Sequence, residues 1–375
     1  MYIYEQNDYP NFTWQDEKLI FLLGKVRHLQ GKIIGKMESL GFELQNEATL
    51  ETIVLDVVKS TEIEGENLDV QQVRSSIAKR LGIEISDSVY SQRDVEGVVE
   101  MMLDATQNFE TELTKERLFD WHFSLFPTGR SGMYKIKVGD FRNDEKGRMQ
   151  VVSGVLGKEK IHYQAPSASD LEREMTQFLD WINDSNSSKK VQIDPILKAA
   201  IAHLWFLTIH PFEDGNGRIA RAIADMMLSR ADQTKQRFYS MSAQIRIERK
   251  EYYSILEQTQ KGSLDSTDWL EWFLNCLLNA LNSSDIVIQK VVKKHHFWAK
   301  NAQMQFNERQ IVVLNKLLDD FYGKLTTSKW SKLTKCSSDT ALRDINDLVE
   351  KGILKKQNAG GRSTSYELNL EKNEK

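Results

Sequence analysis

His210-Pro211-Phe212-Glu213-Asp214-Gly215-Asn216-Gly217-Arg218-Ile219-Ala220-Arg221 stands between two apolar runs, and its composition is that of a turn joining two helices. Upstream, Asp194-Pro195 supplies an N-cap and a proline at the first helical position. Ile196, Ala199, Ala200, His203, Leu204 and Leu207 follow at helical spacing up to His210-Pro211. Downstream, a second helix is expected from about Arg218 to Ala231. Gly215-Asn216-Gly217 turns tightly and exposes backbone N–H groups where that helix begins, so the positive end of its dipole points into the turn. This is an anion site, and phosphate is its natural guest. Phe212 and Ile219 are assigned to the core as anchors of the loop.

The side chains extend the chemistry. Arg218 and Arg221 lie three apart on the first helical turn, so both reach a polyphosphate, and arginine suits bidentate phosphate contacts. Asp214 is a lone carboxylate beside the anion site, the simplest way to hold Mg²⁺ bridged to phosphate oxygens. His210 is placed to take a proton from an attacking hydroxyl near neutral pH. Taken singly, a histidine at a helix end, an arginine pair and a Gly-Asn-Gly turn are commonplace structural features. Packed together between two buried helices, they are the parts of nucleotidyl or phosphoryl transfer.

The segment resembles the Fic-domain signature, H-x-F-x-[D/E]-G-N-G-R-x-x-R, at His210, Phe212, Asp214, Gly215, Asn216, Gly217, Arg218 and Arg221. The resemblance implies a helical Fic core that moves AMP from ATP to a Ser, Thr or Tyr hydroxyl of a protein target, and of the chain itself. His210 is then the base, Asp214 holds Mg²⁺, and Gly215, Asn216, Gly217, Arg218 and Arg221 cradle the ATP phosphates. A hairpin expected near Met149–Tyr163 becomes the flap that aligns the target by strand pairing. Tyr252-Tyr253 resembles the aromatic position lining the adenine pocket; helix packing is the competing reading of the pair.

A second motif precedes the core. Ser60-Thr61-Glu62-Ile63-Glu64-Gly65 places Ser60 and Glu64 on one helical face. Alone, such a glutamate before a glycine is ordinary surface. Beside a Fic core it is similar to the family's inhibitory motif, [S/T]-x-x-x-E-[G/N], as Ser60, Glu64 and Gly65. The resemblance implies that Glu64 pairs with Arg221 and displaces the γ-phosphate. In some relatives the same glutamate supports removal of AMP, so a reverse activity stays open.

The rest of the 375-residue chain fits around this centre. Helices are expected from Asp16 to Lys79, with Leu50, Ile53, Val54, Val57 and Val58 in the second and Asn67 capping a third that Gly82 closes. Others follow at Gln92–Gln107, Thr114–Phe126 and Ser169–Asn183, then a polar linker at 184–190. The expected fold is mainly α: a Fic-type helical core with a short β-hairpin flap, an N-terminal helical region and a C-terminal winged helix-turn-helix. The boundaries are 1–90 for the N-terminal helical domain carrying the inhibitory helix, 91–285 for the catalytic core, and 286–375 for a linker helix and the winged segment. Fifty Lys+Arg against 54 Asp+Glu exert no global pull towards nucleic acid or an anionic membrane. Two cysteines, Cys276 and Cys336, make no disulfide framework or zinc site and suit a reducing compartment. No apolar run nears the roughly 20 residues of a membrane span, and no signal peptide is read, so a cytoplasmic protein without a membrane partner is expected.

From Phe306 to Leu368, helical runs at Arg309–Asp320, Thr326–Lys335 and Ser338–Lys351 precede two short strands around a Gly360-Gly361 turn. Ala341, Leu342, Ile345, Leu348 and Val349 form an apolar stripe, leaving Ser338, Thr340 and Arg343 where a recognition helix touches DNA. Lys355, Lys356 and Arg362 in the wing suit phosphates, but Asp344, Asp347 and Glu350 dilute the charge; DNA and protein contacts both stay open, as does a homodimer. A rival to the enzyme is a nucleotide-sensing transcriptional regulator acting through the winged helix, which would not require the base His210. Gly31-Lys32-Ile33-Ile34-Gly35-Lys36-Met37 fails the Walker pattern, and His203, His210 and His295-His296 have no convincing metal-ligand set.

Overall fold

The computed structural model describes residues 1–85, 88–145, 147–154, 158–184, 193–318, 321–357 and 364–369. They form two compact units, Met1–Asp285 and Ile286–Lys375. The first runs α1 (Asp16–Glu38), α2 (Phe42–Ile63), α3 (Val70–Leu81), α4 (Arg93–Gln107) and α5 (Lys115–Leu125). Four short strands follow, β1 (Arg130–Ser131), β2 (Tyr134–Lys135), β3 (Gln150–Ser153) and β4 (Lys160–Gln164). Then come α6 (Leu171–Asn183), α7 (Pro195–Ile209), α8 (Asn216–Asp232), α9 (Met241–Ile247), α10 (Arg249–Gln260) and α11 (Thr267–Lys300), whose residues from Ile286 onward belong to the second unit. The fold is mainly α, as the periodicity predicts.

Helix α7 is the centre because it has almost no polar face: twelve of its residues from Leu197 to Ile209 are buried on every side, with only Lys198 partly exposed. A helix apolar all round must be enclosed. Asp194 caps it, accepting from the Ile196 N–H at 2.8 Å, with Pro195 in the first turn. It packs on α8, which in turn meets α2, α4 and α5. Helix α2 is tied to the far end of α8 by buried charge. Arg237, wholly enclosed, donates to Asp225 at 2.5 Å and lies 3.9 Å from Asp56 of α2. Asp56 also accepts from Ser240 and from the Ser242 N–H.

Local details depart from the expectations. Asp69, not Asn67, caps α3, accepting from the Gln72 N–H at 3.0 Å; Gly82 closes it at φ 68°. The hairpin near Met149–Tyr163 is present as β3–β4, but β1–β2 is a further antiparallel pair too short to leave a β pattern in the sequence. Helix α8 starts at Asn216, two residues before the expected Arg218, because Gly215 takes the left-handed cap. The linker residues 185–190 lie outside the described residues.

The second unit has α12 (Glu308–Leu318), α13 (Thr327–Thr334), α14 (Ser338–Glu350) and the antiparallel pair β5 (Leu354–Lys356) and β6 (Tyr366–Leu368) around a core of Val313, Leu314, Trp330, Ile345 and Leu348. Leu342 breaks the expected apolar stripe: it is 42% exposed, while Asp344 turns inward and takes Arg309 at 2.7 Å and Asn307 at 2.9 Å. Arg343 and Ser338 are exposed and Thr340 half-buried. The Gly360-Gly361 turn and Arg362 lie outside the described residues. Among the described residues no helix is long and apolar enough to cross a membrane.

The Asp56–Arg237–Asp225 cluster gives a stability test. Arg237→Ala leaves two enclosed carboxylates without their cation, and loss of one member of a buried ion pair costs about 3–5 kcal/mol. Chemical unfolding of the purified variant is expected to show a loss of that size; a loss under about 1 kcal/mol would mean that the cluster does not fasten α2 to α8.

Candidate functional site

The reversal between α7 and α8 sets the site. His210 ends α7 with φ 51° and ψ 59°, a left-handed conformation unusual for a residue with a Cβ and one that stands directly before a proline. It persists because its backbone is held on both sides. Its N–H donates to Phe206 O at 2.9 Å, and its carbonyl accepts from Arg142 Nε at 2.8 Å. Arg142, 3% exposed, also donates its main-chain N–H to Pro211 O at 2.9 Å and Nη2 to Pro166 O at 2.7 Å. Sequence reasoning missed Arg142; an isolated arginine in a loop carries no signal of a distant backbone clamp.

The turn then closes on itself. Asn216 accepts from the Phe212 N–H at 3.0 Å and donates to Phe212 O at 2.8 Å, so its side chain builds the loop and only its backbone is left for a ligand. Gly215 adopts φ 84°, and a Cβ there would lie 2.8 Å from the Phe126 ring. Behind the loop, His122 stacks on Phe212 with ring centroids 4.2 Å apart. Its Nε2–H donates to Asp214 O at 3.2 Å. Burial pushes His122 down to about 4, so it is neutral and structural. This histidine too was not singled out in the sequence.

His210, Glu213, Asp214, Gly215, Asn216 and Gly217 line one cleft of about 580 Å³, whose other walls come from β3, β4 and α10. Nδ1 of His210 donates to Leu207 O at 3.3 Å, which leaves Nε2 as an acceptor. Burial, assisted by the Arg142 charge, lowers this imidazole to about 4. Asp214 accepts from the Gly215 N–H at 2.6 Å and from the Ser131 hydroxyl of β1. Among the described residues no cluster of three or more His, Cys, Asp or Glu is placed for a metal. A single carboxylate beside an anion turn fits Mg²⁺ that arrives with phosphate and keeps its waters, and does not fit an ion caged by protein alone.

The two arginines do not line the cleft. Arg221, 2% exposed, donates Nε to Ser60 Oγ at 2.9 Å, and Nη2 to Ser60 O at 2.9 Å and Glu64 Oε1 at 2.7 Å. Burial opposes its charge, but Glu64 holds it above the ordinary arginine range. Glu64 itself lines the cleft, so close to the turn that a Cβ on Gly217 would lie 2.3 Å from its Oε1. Gly65, at φ 89°, turns the chain after α2 and brings Glu66 round to Arg218 at 3.1 Å. Arg218 is 4% exposed, with its guanidinium over the Phe126 ring. The Glu66 contact was not foreseen. Glu64-Gly65-Glu66 carries the signal in hindsight, since two carboxylates flanking a glycine turn face two arginines one helical turn apart.

The tyrosines separate. Tyr252 is 1% exposed, bonded through its hydroxyl to His203 Nε2 at 2.9 Å and packed near Trp269 and Trp272. Tyr253 is 40% exposed and lies beside Arg249. Both line the cleft.

Comparison with known proteins agrees with this geometry. The Fic/DOC family model matches residues 112–228, and a model described as a domain of unknown function, DUF4172, matches residues 2–83. Protein adenylyltransferase fic-1 of Caenorhabditis elegans is 28% identical over 181 residues, 48% of this chain and 32% of the relative. Protein adenylyltransferase Fic of Drosophila willistoni is 27% identical over 210 residues, 56% of this chain and 37% of the relative. The chain therefore spans about a third of these relatives' length. Among solved structures, a Fic family protein from Desulfovibrio desulfuricans G20 aligns with TM-score 0.50 at 19% identity, covering 96% of this chain and 98% of that one. A Fic domain containing signaling protein from Bacteroides thetaiotaomicron aligns with TM-score 0.51 at 20% identity, covering 71% of this chain and 97% of that one. At such identities the likeness is one of fold. The signature at His210–Arg221, folded between α7 and α8, lies within residues 112–228, the part of this chain that matches the Fic/DOC family model.

Proposed function

We propose that the Met1–Asp285 unit is a protein adenylyltransferase, moving AMP from ATP to a hydroxyl of a protein target, held in check by the end of α2. The observation that carries the reading is a neutral imidazole, a carboxylate and a helix N-terminus lining one cleft, with Glu64 lying between that cleft and Arg221. A nucleotide sensor has no use for a base presented to the cleft.

The triphosphate fits over the Asn216 and Gly217 amides at the N-terminus of α8, where backbone N–H groups and the helix dipole favour negative charge, while the Gly215 N–H is taken by Asp214. Asp214 would hold Mg²⁺, which supplies charge neutralisation at the phosphates. Tyr253 presents the aromatic face on which adenine stacks, while Tyr252 shapes the floor behind it. The β3–β4 hairpin offers the flap along which a target strand pairs. Nε2 of His210 accepts the target's hydroxyl proton as the oxygen attacks the α-phosphorus and diphosphate departs. Burial keeps the imidazole unprotonated and so available to accept that proton.

Glu64 and Glu66 oppose this pose together. They occupy Arg221 and Arg218, the cations that an extended triphosphate needs, and Glu64 places a negative charge beside Gly217. Losing alignment for in-line attack costs orders of magnitude in rate.

Three results are expected. Glu64→Gly raises AMP transfer to lysate proteins by about 100-fold or more, adding Glu66→Gln tightens ATP binding further by releasing Arg218, and His210→Ala abolishes transfer to those proteins. Mass-detected AMP and calorimetric ATP titration read these out; equal transfer in wild type and Glu64→Gly removes the brake from the reading. For pH, a base lowered to about 4 stays deprotonated above that value. The kcat/KM for a protein target should thus show no falling limb from about pH 8 to about pH 5.5, where an ordinary histidine near 6.5 would lose activity. A limb centred between about 6 and 7 would show that His210 is not the base in this environment.

A further inference from the structure

The same cleft holds a hydroxyl–imidazole–carboxylate chain that the reading above does not use. On the hairpin, Val151 pairs with Tyr163 but Val152 pairs with Ile161, so His162 is the extra residue of a β-bulge in β4. Bulges re-aim side chains. His162 meets Ser153 of β3 through Nε2 at 2.6 Å and Glu257 of α10 through Nδ1 at 2.6 Å. Lys261 also donates to Glu257, at 2.7 Å. Although burial works the other way, hydrogen bonds from Lys261 and His162 hold the Glu257 carboxyl down at about 2. Glu257 takes the proton on Nδ1, and in the neutral ring this leaves Nε2 as the acceptor for Ser153 Oγ–H. Ser153 is solvent-exposed and lines the cleft together with His162, Glu257, His210 and the Gly215–Gly217 turn. A serine whose proton is already directed at an oriented imidazole is an activated nucleophile.

We propose that Ser153 is an internal AMP acceptor, a modification site served by its own base, His162, with Glu257 orienting the ring. The proposal rests on the adenylyltransferase reading of the cleft. In the step, Ser153 Oγ forms a bond to the α-phosphorus of ATP and the bond from that phosphorus to the bridging oxygen breaks. Diphosphate leaves with the bond's electron pair. The hydroxyl proton passes to His162 Nε2, and Glu257 stabilises the imidazolium. The product is a Ser153 phosphodiester of AMP on β3, the strand along which a target would pair. Modification there would alter target docking.

The test uses the full chain carrying Glu64→Gly, incubated with ATP and Mg²⁺, digested and mapped by mass spectrometry, with diphosphate release followed in parallel in the presence of lysate. One AMP on the peptide containing Ser153 is expected. It should vanish with Ser153→Ala, persist with Ser153→Thr, and form about 100-fold more slowly with His162→Gln, the loss expected for a missing general base. A merely structural link between hairpin and α10 would move ATP affinity, not the address of the AMP. AMP on other residues with Ser153 unmodified, or AMP on lysate proteins with none on the chain, overturns this proposal and leaves the adenylyltransferase reading standing. Absence of both diphosphate release and AMP on any protein overturns that reading and this proposal with it.

Discussion

An imidazole at the end of one buried helix and the backbone amides at the start of the next can share a cleft only if the chain between them reverses tightly, and that reversal is the constraint on which the site rests. Nothing in the local preferences of a histidine before a proline favours φ 51°. The conformation is imposed by Arg142, which bonds the His210 and Pro211 carbonyls, and by Asn216, which clasps both backbone groups of Phe212. Strain of this kind persists only where surrounding structure over-determines it. Here a single arginine, 3% exposed, and a stacked His122–Phe212 pair supply that surrounding structure.

Buried charge organises the other side of the site. Asp56, Ser60 and Glu64 recur every four residues along α2, on one face of the helix. Arg221 and Asp225 recur in the same way on α8. The facing pairs form a ladder: Asp56 and Asp225 on Arg237, Ser60 and Glu64 on Arg221. Its lower rung is fully enclosed, whereas Glu64 is 31% exposed at the upper one. The two ends therefore serve different purposes. Enclosed charges are costly to separate and hold α2 in place, while at the upper rung only Arg221 is enclosed and the Glu64 carboxylate reaches the cleft. In the proposed function, a helix anchored at one end and displaceable at the other gives the inhibitory contact a fixed aim without making it permanent.

The cleft is also asymmetric in its bases. His210 is lowered to about 4 by burial and stands at the rigid α7–α8 turn. His162 sits in a bulge on a two-stranded hairpin and is oriented by Glu257 from a neighbouring helix. One is fixed by the core, the other by a polar chain at the cleft's edge. In the proposed functions, this difference separates an acceptor brought by another protein from one carried on the hairpin.

Much of this was legible in the sequence wherever a rule acts over a few residues. Asp194-Pro195 announced α7, Gly82 closed α3, and the Gly-Asn-Gly turn announced the start of α8 beside an imidazole and a carboxylate. The pairing of Glu64 with Arg221 came from resemblance, because no local rule joins residues 157 apart in the chain. Tertiary structure alone decided the contact of Glu66 with Arg218, the Arg142 clamp, the inward turn of Asp344 and the meeting of Ser153, His162 and Glu257. Each depends on helices and strands remote in sequence coming to rest at particular distances, an outcome of summed packing and of a one-residue bulge. Periodicity and caps say what a segment will be; only the packed whole says which charge it will meet.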